Sequence, residues 1–153
     1  MTPVEKSGLP AGVHAVTPHL CCDGASAAIE FYKAAFGAEE LMRLPGEDGR
    51  LMHACLLING SSIFLNDEYP EQGGTGPKRL GGSPVIIHLM VQDVDAAFET
   101  AIAAGATVVM PVADMFWGDR YGVLADPFGH LWSLATPNGP MSVEDMQSAM
   151  KAM

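Results

Sequence analysis

Two histidines in matching surroundings offer the clearest chemistry in this chain. His19 lies in AVTPHLCC (15–22) and His88 in PVIIHLMV (84–91), both short apolar segments of strand character. Along a strand, residues two apart share a face. His88 therefore goes with Ile86 and Met90, opposite Ile87, Leu89 and Val91. That wholly apolar set must pack against helices, which turns His88 toward the other, concave face, and His19 with it. Neutral imidazole is a good ligand for divalent transition metals and an equally good hydrogen-bonding group. A catalytic metal of this kind usually needs at least three protein ligands, often with a carboxylate among them. Cys21, on the face of His19, could add a soft ligand or a reactive thiol, or simply fill space as a small core residue.

The second concentration of chemistry is FWGDRYGVLADPFGHLWSLAT (116–136), which carries Trp117, Asp119, Arg120, Tyr121, His130 and Ser133. It reads as two strands joined by the turn Asp126-Pro127-Phe128-Gly129. Alternation across the turn sets Leu131, Ser133 and Ala135 on one face, with His130, Trp132 and Leu134 on the other. His130, beside the turn, is expected to face away from the cavity. Arg120 is one of only eight basic residues; it could anchor a small anion or pair with Asp119 or another surface acid. His53 lies in RLMHACLLI (50–58), between Met52 and Ala54, and the apolar character of both faces leaves its direction open. The expected cavity lining is thus His19, Met52 or His53, His88, Trp117, Tyr121 and Ser133, with Arg120 as a neighbour.

These residues need a scaffold, and the chain supplies the same one twice. In the first half, ASAAIEFYKAAF (25–36) has helical periodicity with Ala28, Ile29, Tyr32 and Phe36 on one face, and Gly37 stops it. Strands are expected at 15–22, 38–44, 50–58 and 61–67, the last two joined by Asn59-Gly60, a strong hairpin signal. In the second half, a strand at 84–91 precedes a helix at 94–104 capped by Asp93. Strands at 106–111, 119–125 and 130–136 follow. His19 and His88, Ile29 and Phe98, and Gly60 and Gly129 are each 69 residues apart. A repeated β-α-β-β-β unit implies that neither copy buries its sheet face alone. The expected organisation is an arm (1–14), a first module (15–69), a Gly/Pro-rich linker (70–83), a second module (84–137) and a C-terminal helix (138–153) capped by Ser142. The fold class is α+β.

Composition narrows the partners. At 153 residues and 48% hydrophobic, the chain is about one domain with a real core. The net charge of −10 argues against nucleic acid. No apolar run is long enough for a membrane span, no secretory signal is evident, and three cysteines make no disulfide framework; a cytoplasmic protein is expected. The acidic surface suits a cationic ligand better than an anionic one.

The duplicated unit, with the segments VTPHL, AAIEFYKAAFGAEE, GRLMHACLLING, IHLMVQDVDAAF and GATVVMPVADMFWGDRYGVLADPFGHLW, resembles the vicinal oxygen chelate superfamily. That superfamily includes glyoxalase I, bleomycin-resistance proteins, fosfomycin-resistance enzymes and extradiol dioxygenases. The resemblance covers residues 15–137 and is strongest to the PhnB-like subgroup. It implies two paired βαβββ modules forming a curved, half-open barrel around a cavity, and a homodimer. In metal-dependent members the first strand of each module supplies His and the last strand Glu. His19 and His88 match the first pattern; Phe64 and Ser133 stand where the carboxylates would be. The resemblance therefore implies binding of a small molecule between the modules, with no tightly bound catalytic metal expected, although a divalent metal on His19 and His88 is possible. The alternative is a metal-dependent glyoxalase-type lyase or isomerase, or another enzyme of the superfamily, using His19 and His88.

Overall fold

The structure, a computed structural model, describes residues 10–153, so the first nine residues of the expected arm lie outside the described residues. Chain contacts divide it after Gly82 into two units. The first holds β1 (His19–Cys22), α1 (Ala25–Phe36), β2 (Glu39–Pro45), β3 (Leu51–Ile58), β4 (Ser61–Asp67), a 3-10 turn (Pro70–Gln72) and the one-turn helix α2 (Pro77–Leu80). The second holds β5 (Ile86–Met90), α3 (Val94–Ala104), β6 (Thr107–Asp114), β7 (Asp119–Ala125), β8 (Leu131–Pro137) and α4 (Val143–Lys151). Each unit is a four-stranded mixed sheet, ordered β1-β4-β3-β2 and β5-β8-β7-β6. In each, the first strand runs parallel to the last, and all other pairs are antiparallel. The fold class is thus α+β with two βαβββ units, as the repeat implies.

Alternation builds both cores. On β3 and β4, Ala54, Leu56, Ile58, Ile63 and Leu65 are buried together with Ile29 and Tyr32 of α1. In the second unit the helix-facing side is marked by Gly122, where a β-carbon would come within 2.8 Å of the Phe98 ring of α3. The helices are tied to the sheets by equivalent residues of different chemistry. Asp67, at the end of β4, accepts the amides of Gly24 and Ala25 (3.2 and 2.7 Å) through Oδ1 and that of Leu51 (2.7 Å) through Oδ2. Thr136, 69 positions later, accepts the Val94 amide and donates to the Val91 carbonyl, both at 2.9 Å. Asp93 and Ser142 cap α3 and α4 as expected.

Three expectations are corrected. The first strand begins at His19, not at residue 15, because residues 10–17 turn away to pack on the sheet face, with Thr17 bonding Ser62 and the His14 carbonyl. β6 continues to Asp114, carried on by pairs with Tyr121 and Arg120 of β7. The stretch 70–83 is ordered against the first unit rather than a bare connection. Glu68, buried, accepts the Gly76 amide at 2.6 Å and pairs with Arg79, and Gly76 approaches the Cys21 carbonyl so closely that a β-carbon would stand 2.8 Å from it.

Candidate functional site

In the first unit, the sheet face turned away from α1 carries His19 on β1, His53 and Cys55 on β3, and Phe64 and Asn66 on β4. The register pairs His19 with Phe64, and Phe64 with Cys55. The rings of His19, His53 and Phe64 meet edge to face, with centroids 5.9 Å apart for His19–His53 and His19–Phe64 and 4.7 Å for His53–Phe64. Burial, and then the neighbouring His19, push the His53 pKa below its usual value, so the ring is held neutral.

The direction of His53, open in the sequence, is therefore settled, and the repeat explains it. The strict 69-residue offset places Gly122 opposite His53. The pairing differs: Cys55 faces Phe64 and Val123 faces Ser133, so in β7 the offset is 68 and the counterpart of His53 is Tyr121. The cause is the hairpin, which sets Val123 ten positions before its partner Ser133 where Cys55 is nine before Phe64. A one-residue change of register exchanges the two faces of a strand.

Two cavities lie on this face. The larger, about 780 Å³, is lined by His53, Cys55 and Phe64 from the sheet, Leu41 and Met42 from β2, and the segment from Pro10 to Thr17. That segment is held down where the His14 amide donates to Ser62 Oγ (3.0 Å), the Thr17 and Ser62 hydroxyls meet at 2.7 Å, and Gly12 passes over Leu57. The smaller, about 310 Å³, is lined by His19, Met52, Asn66, Tyr69, Gln72 and Gly74. Met52 reaches it because a register shift of β3 against β2 sets this residue outside the regular pairing.

The second unit gathers the remaining expected residues on the equivalent face. His88 Nδ1 lies 2.7 Å from Ser133 Oγ, its ring stacks on Tyr121 with centroids 6.0 Å apart, and Tyr121 meets the edge of Trp117 at 5.3 Å. Trp117 Nε1 donates to Asp119. Arg120 does not join this cluster. Its guanidinium grips Asp95 of α3 through two bonds, at 2.8 and 3.0 Å, and reaches Asp114 at 3.3 Å, so the surface ion pair prevails over the anion anchor. His19, Met52 and His53 are brought together in the first unit, and His88, Trp117, Tyr121 and Ser133 in the second.

Several lining residues escaped the sequence reading. Asn66 was reachable, two positions beyond Phe64 on the same face. Leu41, Met42 and the 10–17 segment were not, since only the docked chain brings them to the cavity.

A divalent catalytic metal does not fit the donors present in either unit. Among the described residues, no three His, Cys, Asp or Glu side chains converge. Phe64 and Ser133, at the positions where the resemblance implies carboxylates, bring no charge, and Ser133 engages His88. Cys21 offers no ready thiolate: burial, and then the charges of Glu68 and Asp67, raise its pKa.

Comparison with known proteins agrees with this architecture. Residues 12–134 match the family profile of the Glyoxalase/Bleomycin resistance protein/Dioxygenase superfamily. The chain is 54% identical over 141 residues to an uncharacterized protein of Mycobacterium bovis, an alignment covering 90% of this chain and 93% of that one. The crystal structure of an Arabidopsis thaliana gene product is similar with 30% identity and a TM-score of 0.66, covering 80% of this chain and 98% of that chain. The PhnB protein of Bacillus cereus shares the fold, with 20% identity and a TM-score of 0.65 over 80% of this chain and 99% of that chain.

Proposed function

Since the chain belongs to the glyoxalase/bleomycin resistance protein/dioxygenase superfamily, we propose that it binds a small organic molecule, without a tightly bound catalytic metal. The observation that carries this reading is the 780 Å³ cavity beside His53, Cys55 and Phe64, a volume in the range of ordinary ligand sites. The motifs support a place in the PhnB-like subgroup. The His88–Ser133–Tyr121–Trp117 cluster is a second polar-aromatic surface, on the sheet face of the second unit. The protein is a homodimer, supported by the outermost strands, where Leu44, Ile86 and Val109 are exposed. It works in the cytoplasm, where its three cysteines stay reduced.

The metal-free reading follows from the donors. Two neutral imidazoles would have to hold a dication that has given up most of its water with no anionic ligand to compensate. Metal analysis of protein prepared without chelators, alongside Ser133→Glu, tests it. Little metal is expected in the parent and a clear gain in the variant. One firmly held zinc, nickel or manganese per chain in the parent, lost in His19→Ala or His88→Ala, would overturn the reading and restore the lyase or isomerase alternative.

A further inference from the structure

We infer that the ligand of the first unit is uncharged and two-ended, with a flat apolar body in the larger cavity and a neutral hydrogen-bonding head in the smaller. The inference rests on the proposal that this face binds small molecules, and it names their class. Eighteen acidic and eight basic residues occur in the chain, yet among the described residues no Asp, Glu, Lys or Arg lines either cavity. An ion entering the larger cavity would exchange its hydration for carbon atoms of Val13, Leu41, Met42 and Phe64 and the Cys55 thiol, with no carboxylate, ammonium or guanidinium among the described lining residues. His53 gives no help, being kept neutral by burial and by His19. The acidic surface, which by itself favours a cation, is therefore not what the ligand meets.

The smaller cavity has a different character at the same charge. Asn66 and Gln72 bring carboxamides, Tyr69 a phenol and His19 an imidazole. Each can donate or accept, which suits a carboxamide, hydroxyl or ring-nitrogen group. The two cavities are successive along the same strands. β4 gives Phe64 to the first and Asn66 to the second; β1 gives His19 to the second, after Thr17 of the preceding segment has lined the first. His19, His53 and Phe64 form the row between them, and their edge-to-face packing leaves aromatic surface for a flat ring.

The test uses one skeleton with three heads, 2-naphthamide, 2-naphthoate and 2-naphthylmethylammonium. Each is titrated into the full chain at pH 7.5 by calorimetry, with side-chain NMR of the Met and His residues. The amide is expected to bind at least tenfold tighter than either ion and to shift His19, His53, Met42 and Met52. Gln72→Leu should weaken the amide several-fold. Met42→Asp, at an exposed position whose folding is checked by its melting temperature, should weaken the amide at least tenfold and favour the ammonium. An ion that binds as tightly as the amide while shifting the same residues overturns the ligand class and leaves the site standing. Three probes that all leave those resonances unmoved overturn the class and the small-molecule reading together.

Discussion

His53 shows how much one side chain depends on its neighbours. Its imidazole is half-buried against Phe64 and beside His19, so the proton is disfavoured in the folded protein. The unfolded chain, with an ordinary pKa of ~6.5, takes the proton more readily. Stability is therefore unaffected above that value and falls as the pH drops below it, because the unfolded state binds more protons. Chemical denaturation at pH 7.5 and pH 5.5 should show a loss in the parent that is smaller in His53→Gln; equal losses would contradict the assignment. Part of this was legible in the sequence. Alternation around Ile87, Leu89 and Val91 was enough to orient His88, and the repeat carried His19 with it. The same reasoning failed for His53, because a repeat offset holds only as far as the next loop of unequal length.

Among the elements, the pair Asp67 and Thr136 reveals what the duplication conserves and what it lets drift. Both stand at the end of their unit's last strand, and both satisfy the first amides of their unit's helix, one as a carboxylate and one as a hydroxyl. Asp67 holds three amides, including Leu51 on a different strand, and Thr136 holds one amide and one carbonyl. Asp67→Ala should cost about 2 kcal/mol and Thr136→Val about 1 kcal/mol, in keeping with lost caps and orphaned buried amides. Urea unfolding of the two variants checks the order; a larger loss for Thr136→Val would reverse the argument. Helices, hairpins and the two local caps, Asp93 and Ser142, were readable because their signals lie within a few residues. Asp67 was not, because its partners are 42, 43 and 16 positions away. The ordered 70–80 stretch was hidden for the same reason: its Gly and Pro content signals a connection, and only the buried Glu68 shows that it is fastened.

At the scale of the molecule, charge and edges decide the partners. Arg43 and Lys33 meet Glu40, Arg50 meets Asp48 and Glu71, Arg79 meets Glu68, and Arg120 meets Asp95 and Asp114. Little positive charge is left to attract a polyanion. The exposed Val108, Val109 and Met110 on β6, with Leu41, Met42 and Leu44 on β2, put apolar surface on the outermost strands of both sheets. Light scattering at micromolar concentration should give twice the 16.1 kDa chain mass; a monomer would count against the homodimer. The parallel pairing of β1 with β4 also sets an order of events during synthesis. β1 leaves the ribosome early, yet its sole partner among the described residues ends at Asp67. Meanwhile β2, β3 and β4 can zip as successive hairpins. His19, which lines the smaller cavity, therefore reaches its neighbours only after the chain has been translated through its partner strand, and no nascent chain shorter than that possesses the site.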